Sequence, residues 1–252
     1  MDEDKALWAT WYDVEDSRRT EYLDWLHSEH LPALKRQPGF LWVAHYADQG
    51  GGVPMSESGK PLLNFSGDEM ETGSQYALAV GAAATRDFLD PSVLDLERQW
   101  DEASGGKLSL RKGVRPGIFV ESVRVHGPAW PSDGYGLNPA PAVMLGSFRM
   151  PTPEQEFELG TWYLKVRLPF MEETPGCIRV RIYAGVAGWA KFAAFYEFES
   201  HEDRKRWKAL NEKTVRDPGH WTHRVIGSTQ HAPGSPTVGV RTWPPPGDSR
   251  PD

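Results

Sequence analysis

The sequence contains a single cysteine, no long apolar run and no block of basic residues. Cys177, being alone, excludes an intramolecular disulfide and a zinc site made of several cysteines. No apolar stretch approaches the roughly 20 residues that a membrane helix needs, so we expect no membrane association. The net charge of −7, with both signs interspersed, argues against nucleic acid as a partner. The first residues, MDEDKALW, lack the basic and apolar regions of a signal peptide, which favours the cytoplasm.

Tryptophan stands out among the residues that are present. The 252 residues include eleven tryptophans, and 39% of all residues are hydrophobic, which is enough for a proper core. Large flat side chains pack cores, and they also hold flat ligands. We therefore expect a globular protein with an enclosed pocket lined by aromatic side chains.

One segment of the chain is repeated. Residues 158–177 echo residues 21–40 without a gap, and the echo continues into the following strand. The matched positions, all at one constant spacing, are Trp25 and Trp162, Leu31-Pro32 and Leu168-Pro169, Pro38-Gly39 and Pro175-Gly176, and Tyr46 and Tyr183. Chance would rarely keep such a register, so we interpret the chain as two copies of one unit.

Each copy shows the same order of predicted elements, βαββαβ, which indicates an α+β fold. In the first copy the predicted strands are 7–12, 40–46, 76–82 and 117–125, and the helices are 17–36 and 91–100. In the second copy the strands are 143–149, 178–183, 191–198 and 221–226, and the helices are 154–173 and 201–212.

Proline, glycine and serine mark the predicted boundaries. Residues 127–141 have the composition of a linker, which separates a first unit at 1–126 from a second at 142–232. Residues 47–75 form a loop long enough to be a lid or an insertion. Residues 233–252, which include three consecutive prolines, predict an extended tail.

The segment Trp25-Leu-His-Ser-Glu-His-Leu-Pro-Ala-Leu34, followed by Pro38-Gly39-Phe40 and a strand, resembles the EthD-like branch of the dimeric α/β-barrel superfamily. The resemblance implies two ferredoxin-like units that pair through their sheets, here as a tandem copy within one chain. Members include cofactor-free monooxygenases, lactone isomerases, polyketide cyclases and dehydratases, and haem enzymes, so the resemblance implies no single reaction. It transfers mainly His30 as a functional residue, and the second copy has Arg167 there.

The first helix carries the candidate catalytic residues. His27 and His30 share an apolar stripe with leucines at helical spacing, so both imidazoles are expected to face the sheet. A histidine there can take a proton from a carbon acid or give one to a leaving oxygen. Asp13 could orient a histidine, act as a base, or simply start the turn into the helix.

The strands carry the candidate substrate-binding residues. Alternation puts Trp8 and Tyr12 on one face of their strand and Trp11 on the other, and it separates His45 from Trp42 and Tyr46. The aromatic side chains can be core or pocket wall. The predicted binding set has three hydrogen-bonding groups, Tyr12, His45 and Tyr46, and three stacking groups, Trp8, Trp11 and Trp42.

Two further patterns leave alternatives open. Arg179 and Arg181 could bind a carboxylate or phenolate, or form an ion pair with Glu197 or Glu199. His27 and His30, with Glu29 or His45, could in principle hold a metal, but no third ligand has a defining spacing. We therefore expect no metal and no cofactor.

These observations predict a cofactor-independent lyase or isomerase that performs a dehydration or another proton-transfer step on a small aromatic or polyketide-like molecule. His30 would be the acid or base, assisted by His27 or Asp13. One alternative is a cofactor-free or haem-dependent monooxygenase. Another is a binding protein that holds an aromatic metabolite unchanged. A homodimer remains open.

Overall fold

The computed structural model describes residues 4–132 and 139–245. Its first half contains β1 (Ala6–Val14), α1 (Arg19–Trp25), α2 (Leu31–Lys35), β2 (Phe40–Asp48), β3 (Asn64–Phe65), β4 (Tyr76–Ala82), α3 (Val93–Ala103) and β5 (Arg111–His126). Its second half contains β6 (Ala142–Arg149), α4 (Pro153–Trp162), α5 (Leu168–Glu172), β7 (Cys177–Gly188), β8 (Phe192–Phe198), α6 (His201–Arg216), α7 (Trp221–Ser228), β9 (Gln230–His231) and β10 (Thr237–Trp243). No helix among these residues is long and apolar enough to cross a membrane.

Eight strands close into an antiparallel barrel. Their order is β2-β4-β1-β5-β7-β8-β6-β10, and β10 pairs with β2 to complete the circle. Each half places its strands in the order second, third, first and fourth, which is the arrangement of a ferredoxin-like unit. The predicted fold class, α+β with a barrel formed inside one chain, is confirmed.

The last strand of the second half lies later in the chain than predicted. Residues 221–226, predicted as a strand, form helix α7, whose first turn is capped where the Thr222 amide donates to His220 Nδ1 over 3.1 Å. The strand is instead Thr237–Trp243, inside the predicted tail, so the tail prediction was wrong for these residues. The prolines that suggested a tail, Pro236 and Pro244, stand just outside the strand and remove no amide from its ladder.

The connection between the halves runs from the end of β5 at His126 to the start of β6 at Ala142. Its first residues follow β7, since the Gly127 and Ala129 amides donate to the carbonyls of Ile178 and Cys177. Residues 133–138 of the predicted linker, and residues 246–252 of the predicted tail, lie outside the described part of the chain.

In each half a π-helical turn joins two helices, α1 to α2 in the first half and α4 to α5 in the second. Each turn ends just before a Leu-Pro pair. The turns span Leu26–His30 and Tyr163–Arg167. Proline lacks an amide hydrogen and its ring crowds the carbonyl four residues earlier, and a widened turn relieves that conflict. As a result, His30 and Arg167 each occupy the last position of a π turn, and both are buried.

The core forms three layers. One apolar cluster lies between the first half's sheet and its helices, one fills the barrel interior, and one lies between the second half's sheet and its helices. Because successive side chains of a strand face opposite sides, each strand contributes to the interior and to one helix-covered layer. A ligand can therefore be held inside the barrel or on either helix-covered side.

Candidate functional site

Three predicted site residues meet in the helix-covered layer of the first half. The Tyr12 hydroxyl lies 2.8 Å from His45 Nε2, and His45 Nδ1 lies 3.2 Å from His27 Nε2. Thr242, on β10, places its Oγ1 2.7 Å from His45 Nδ1 and 3.4 Å from His27 Nε2. Sequence reasoning missed Thr242 because that strand had been assigned to the tail.

The hydrogen bonds of this cluster fix its protons. Thr242 donates its hydroxyl hydrogen to the His45 carbonyl over 3.1 Å, so its oxygen accepts from His45 Nδ1 and leaves Nε2 to accept from Tyr12. The pKa of His45 is lowered to about 3, mainly by burial and to a smaller extent by the neighbouring His27. Burial also lowers the pKa of His27, which is half-buried. The cluster is neutral and its hydrogen bonds are satisfied within the protein.

His30 lies apart from these histidines. Its ring stacks on Trp25 at a centroid distance of 5.0 Å and meets Trp100 edge-on at 5.5 Å. The pKa of His30 is lowered to about 4, mainly by burial and to a smaller extent by the nearby positive charge of Arg111. The described residues provide no hydrogen bond to its ring, so the expected inward orientation is observed but a proton-transfer partner is not.

Asp13 is engaged by the backbone of a loop. Its Oδ1 accepts hydrogen bonds from the amides of Ser74 and Gln75 at 2.7 and 2.8 Å. The structure therefore favours the local structural role over contact with a histidine.

The predicted aromatic set divides between two layers. Trp8 joins Tyr12 on the helix side of the first half, where it packs against Phe40 and Phe88. Trp11, Trp42 and Tyr46 face the barrel interior: Trp11 donates to Thr237 Oγ1, Trp42 to Asp4 Oδ2, and the Tyr46 hydroxyl to the Ala140 carbonyl. Tyr46 points to the opposite face of the sheet from Tyr12 and His45, so the structure does not bring these three polar groups together.

Ion pairs fill the barrel interior. Glu197 lies 3.0 Å from Arg179 Nη2 and 2.9 Å from Arg181 Nη2, so the ion-pair interpretation of these arginines is confirmed. Asp4 accepts from Trp42 and pairs with Arg181 and Arg124. Burial alone would raise the pKa of Asp4, but Arg181 and the other arginines hold it well below its usual value. These charges are matched, which leaves the arginines no role as a free anion site.

A cavity of about 100 Å³ lies in the helix-covered layer of the second half. It is of the same order as the roughly 150 Å³ cavity known to bind benzene. Its walls are mostly apolar and come from β6, β8 and helices α4, α6 and α7: Met144, Phe148, Leu159, Trp162, Tyr163, Ala194, Tyr196, Trp207, Val215, Val225 and Ile226. This is the aromatic-lined pocket that the composition predicts, in the half where no site was predicted.

Three buried basic side chains break the apolar lining. Arg167 and Arg204 are 4% and 3% exposed, and the described residues place no carboxylate within ion-pair distance of either, although Asp48 and Glu212 act on Arg204 from farther away. His231, on β9, is held at Nδ1 by Ser235 Oγ over 3.2 Å. Burial lowers the pKa of His231 to about 4, so the imidazole is neutral at neutral pH. No hydrogen bond among the described residues uses its Nε2.

The long loop of the first half covers this cavity. Gly52, Pro54 and Leu63 line it. Helix α6 holds the loop by its carbonyls, since Lys208 Nζ donates to the Gly51 carbonyl over 2.8 Å and Arg216 Nε to the Met55 carbonyl over 3.0 Å. The loop at 47–75 thus has the covering position that its length suggested.

The cavity does not fit haem. A cavity of about 100 Å³ is of the order that holds a single benzene-sized ring, which is far too small for a porphyrin. In the described ranges, no group of three or more His, Cys, Asp and Glu side chains is arranged to hold a metal ion. We assign no haem to this site.

No family model and no curated protein matches the sequence. Solved structures share the fold. An anthrone oxidase-like protein is 10% identical with a TM-score of 0.55, over 95% of this chain and 92% of its own. A candidate monooxygenase from Fusobacterium nucleatum subsp. nucleatum is 10% identical with a TM-score of 0.54, over 96% and 94%. A candidate chlorite dismutase is 10% identical with a TM-score of 0.52, over 95% of each chain. At these identities the likeness establishes the dimeric-α/β-barrel fold alone.

Proposed function

We propose that this protein is an enzyme that transfers a proton within a small aromatic or polyketide-like molecule bound in the second-half cavity, in a lyase or isomerase step. The observation that carries the proposal is the cavity itself, which combines apolar walls with the neutral imidazole of His231. A neutral imidazole in a dry site can accept a proton, and apolar walls strengthen every charge interaction inside.

The chemistry follows from the groups that line the cavity. His231 Nε2 takes a proton from a carbon acid, and the electron pair left on the substrate is stabilised by the buried guanidinium groups of Arg167 and Arg204. A negative charge beside His231 raises the pKa of the imidazole during this step. The imidazolium then returns the proton to another atom, which is isomerisation, or to a leaving oxygen, which is elimination.

Cofactor-free oxygenation is the second candidate. Two proteins with this fold carry the names monooxygenase and anthrone oxidase-like. In that reaction a substrate deprotonated at a CH2 group transfers one electron to O2, and the two radicals combine to form a C–O bond. The imidazolium protonates the peroxide, which loses water to leave a carbonyl group. Oxygen consumption that matches substrate loss distinguishes this outcome from elimination or isomerisation.

The first-half histidines are the competing location for a site. His30 is the predicted acid or base, with His27 or Asp13 assisting, and His27 is hydrogen-bonded to His45 in a neutral cluster. This cluster joins four elements of the fold, so its geometry supports a structural role at least as well as a catalytic one.

Variants of single histidines test the proposal. Wild type, His231→Gln, His30→Gln and His45→Gln are assayed on hydroxylated aromatic and lactone compounds, with His201→Gln as control because His201 begins α6 outside the cavity lining. We expect loss of about 10²-fold or more in turnover for His231→Gln alone. Full activity of that variant, with loss in His30→Gln or His45→Gln, would move the site to the first half. Binding without turnover by wild type would make the protein a binding protein.

We also propose that the halves are tandem copies of an EthD-like unit. The constant spacing of the repeat and the two π turns at matching positions support it. A homodimer stays a prediction, and a monomer mass in sedimentation equilibrium would contradict it.

A further inference from the structure

We propose that the ligand of the second-half cavity carries a carboxylate, and that Arg167 is the residue that recognises it. The inference rests on the proposed function for the location of the site and adds the class of substrate: a small aromatic carboxylic acid.

Arg167 is held in place by neutral groups only. Its Nη1 donates to Asn211 Oδ1 over 2.8 Å. The guanidinium carbon lies 4.8 Å from the ring centroid of Trp162 and 5.6 Å from that of Trp207. These contacts fix the plane of the guanidinium without neutralising it, which is the arrangement that suits two parallel hydrogen bonds to a carboxylate.

Three N–H donors near this position have no partner. Arg167 Nε, Trp207 Nε1 and Arg204 Nε are all buried and make no hydrogen bond in the described protein. Their residues all line the same cavity. Other buried donors of the described protein also have no partner, but these three share one cavity, where a single acceptor group that enters from outside can meet them. A carboxylate supplies two acceptor oxygens and the missing charge in one group.

The charge of the lining agrees with an anionic ligand. Arg167, Arg204 and Lys208 line the cavity with one carboxylate, Glu212. Glu212 already serves other groups, since it lies 3.8 Å from Lys208 Nζ and 3.4 Å from Arg216 Nη2. Asp48 and Glu212 also act electrostatically on Arg204. The described residues give the buried Arg167 no ion pair, so its charge is the one that an anionic ligand would match.

The rest of the lining favours a ring. Tyr196 and Trp207 stack with centroids 5.4 Å apart, and Trp162 packs against Tyr163 at 4.9 Å. Flat apolar walls of this kind bury an aromatic ring well. With the carboxylate at Arg167, the ring lies along these walls and its far end reaches toward His231.

Calorimetric titration with benzoate and with benzamide, which have nearly the same shape, tests the inference at pH 7. We expect wild type to bind benzoate about tenfold or more tightly than benzamide, and Arg167→Gln to lose that preference. Lys165→Gln is the matched control, because Lys165 is an exposed cation on the same π turn. It should keep the full preference.

Trp207→Phe provides a second variant in case Arg167→Gln does not fold. It replaces the indole, whose N–H has no partner, by a smaller aromatic ring. The lost packing affects both probes, so benzoate binding should weaken more than benzamide binding. Equal affinity of wild type for the two probes, or no binding at millimolar concentration, would overturn the inference. So would a preference for benzoate that survives in Arg167→Gln. Selective benzoate binding without turnover of any substrate would reject the enzyme and leave the recognition of a carboxylate standing.

Discussion

The two halves of this protein place a basic side chain at the same point of the fold, the last position of a π turn, and surround it with indoles. In the first half, His30 lies between Trp25 and Trp100, and the nearby Arg111 is paired with Glu97 at 2.7 Å. In the second half, the corresponding side chain is that of Arg167.

The comparison shows why only one of these positions calls for a ligand. A buried histidine can lose its proton, and His30 does so because burial lowers its pKa to about 4. An arginine cannot be deprotonated in a protein, so the charge of Arg167 persists however dry its surroundings are. The first half can close around a neutral ring, whereas the second half keeps a cavity and an unmatched charge beside it.

The largest expected effect is the loss of folding stability in acid. It arises mostly from buried histidines that are neutral in the folded protein and become protonated when the chain unfolds. Burial lowers the pKa values of His30, His45 and His231 to about 4, 3 and 4. The unfolded chain, with pKa values near 6.5, then binds more protons as pH falls, so stability is complete above about pH 6.5 and is lost toward pH 4. We expect a loss of roughly 5 kcal/mol between pH 7 and pH 5, measured by urea unfolding.

Two variants sharpen that measurement. His30→Leu should remove about a third of the pH dependence, whereas Arg167→Met should leave it unchanged, since arginine stays charged in both states. A flat stability profile from pH 7 to pH 5 in wild type would mean that the buried histidines are not neutral in the native state.

Breaking the ion pairs of the barrel interior should lower the free energy of unfolding by nearly as much as acid does. The barrel interior lies between the helix-covered layers of the two halves. Glu197→Gln leaves Arg179 and Arg181 with less counter-charge, and we expect a loss of about 3 to 4 kcal/mol in the free energy of unfolding. Glu199→Gln is the control, since Glu199 lies two residues after Glu197 in the sequence and is exposed. An equal effect of the two substitutions would show that the interior network contributes nothing.

The smallest effect concerns Arg167 itself. Arg167→Met replaces an unmatched buried cation by an apolar chain of similar length, and we expect the free energy of unfolding to rise by about 1 kcal/mol. Lys165→Met, on the exposed side of the same turn, should change it by less than about 0.5 kcal/mol. Chemical denaturation of both variants without ligand gives the comparison. A marked loss of stability in Arg167→Met would indicate that the guanidinium supports the fold rather than a ligand.

Much of the fold could be predicted from local pattern. Alternation on β1 and β2 correctly separated Tyr12 and His45 from Trp42 and Tyr46, and the charge pattern of β7 and β8 anticipated the pairing of Arg179 with Glu197. The errors arose where local signals conflict. Prolines on both sides hid the strand at 237–243, and an aromatic start made helix α7 resemble a strand.

The candidate site was less predictable. Sequence reasoning followed the histidines of the first helix, because a histidine signals proton transfer by itself. Arg167 was read as the loss of a histidine, and its significance depends on what surrounds it. His231 has no spacing in the sequence that distinguishes it as a site residue.

Read alone, the amino-acid sequence determines the layout of this protein: two similar halves, their helices and most strands, and an abundance of aromatic side chains. These are properties of neighbouring residues, which periodicity and turn chemistry report directly. Tertiary structure decided where the cavity lies, because its walls come from residues far apart in the chain. Gly52 of the first half lines the cavity together with Lys208 and His231 of the second. It also decided which charges are matched, since burial and partners, rather than residue type, make Arg181 structural and leave Arg167 open to a ligand.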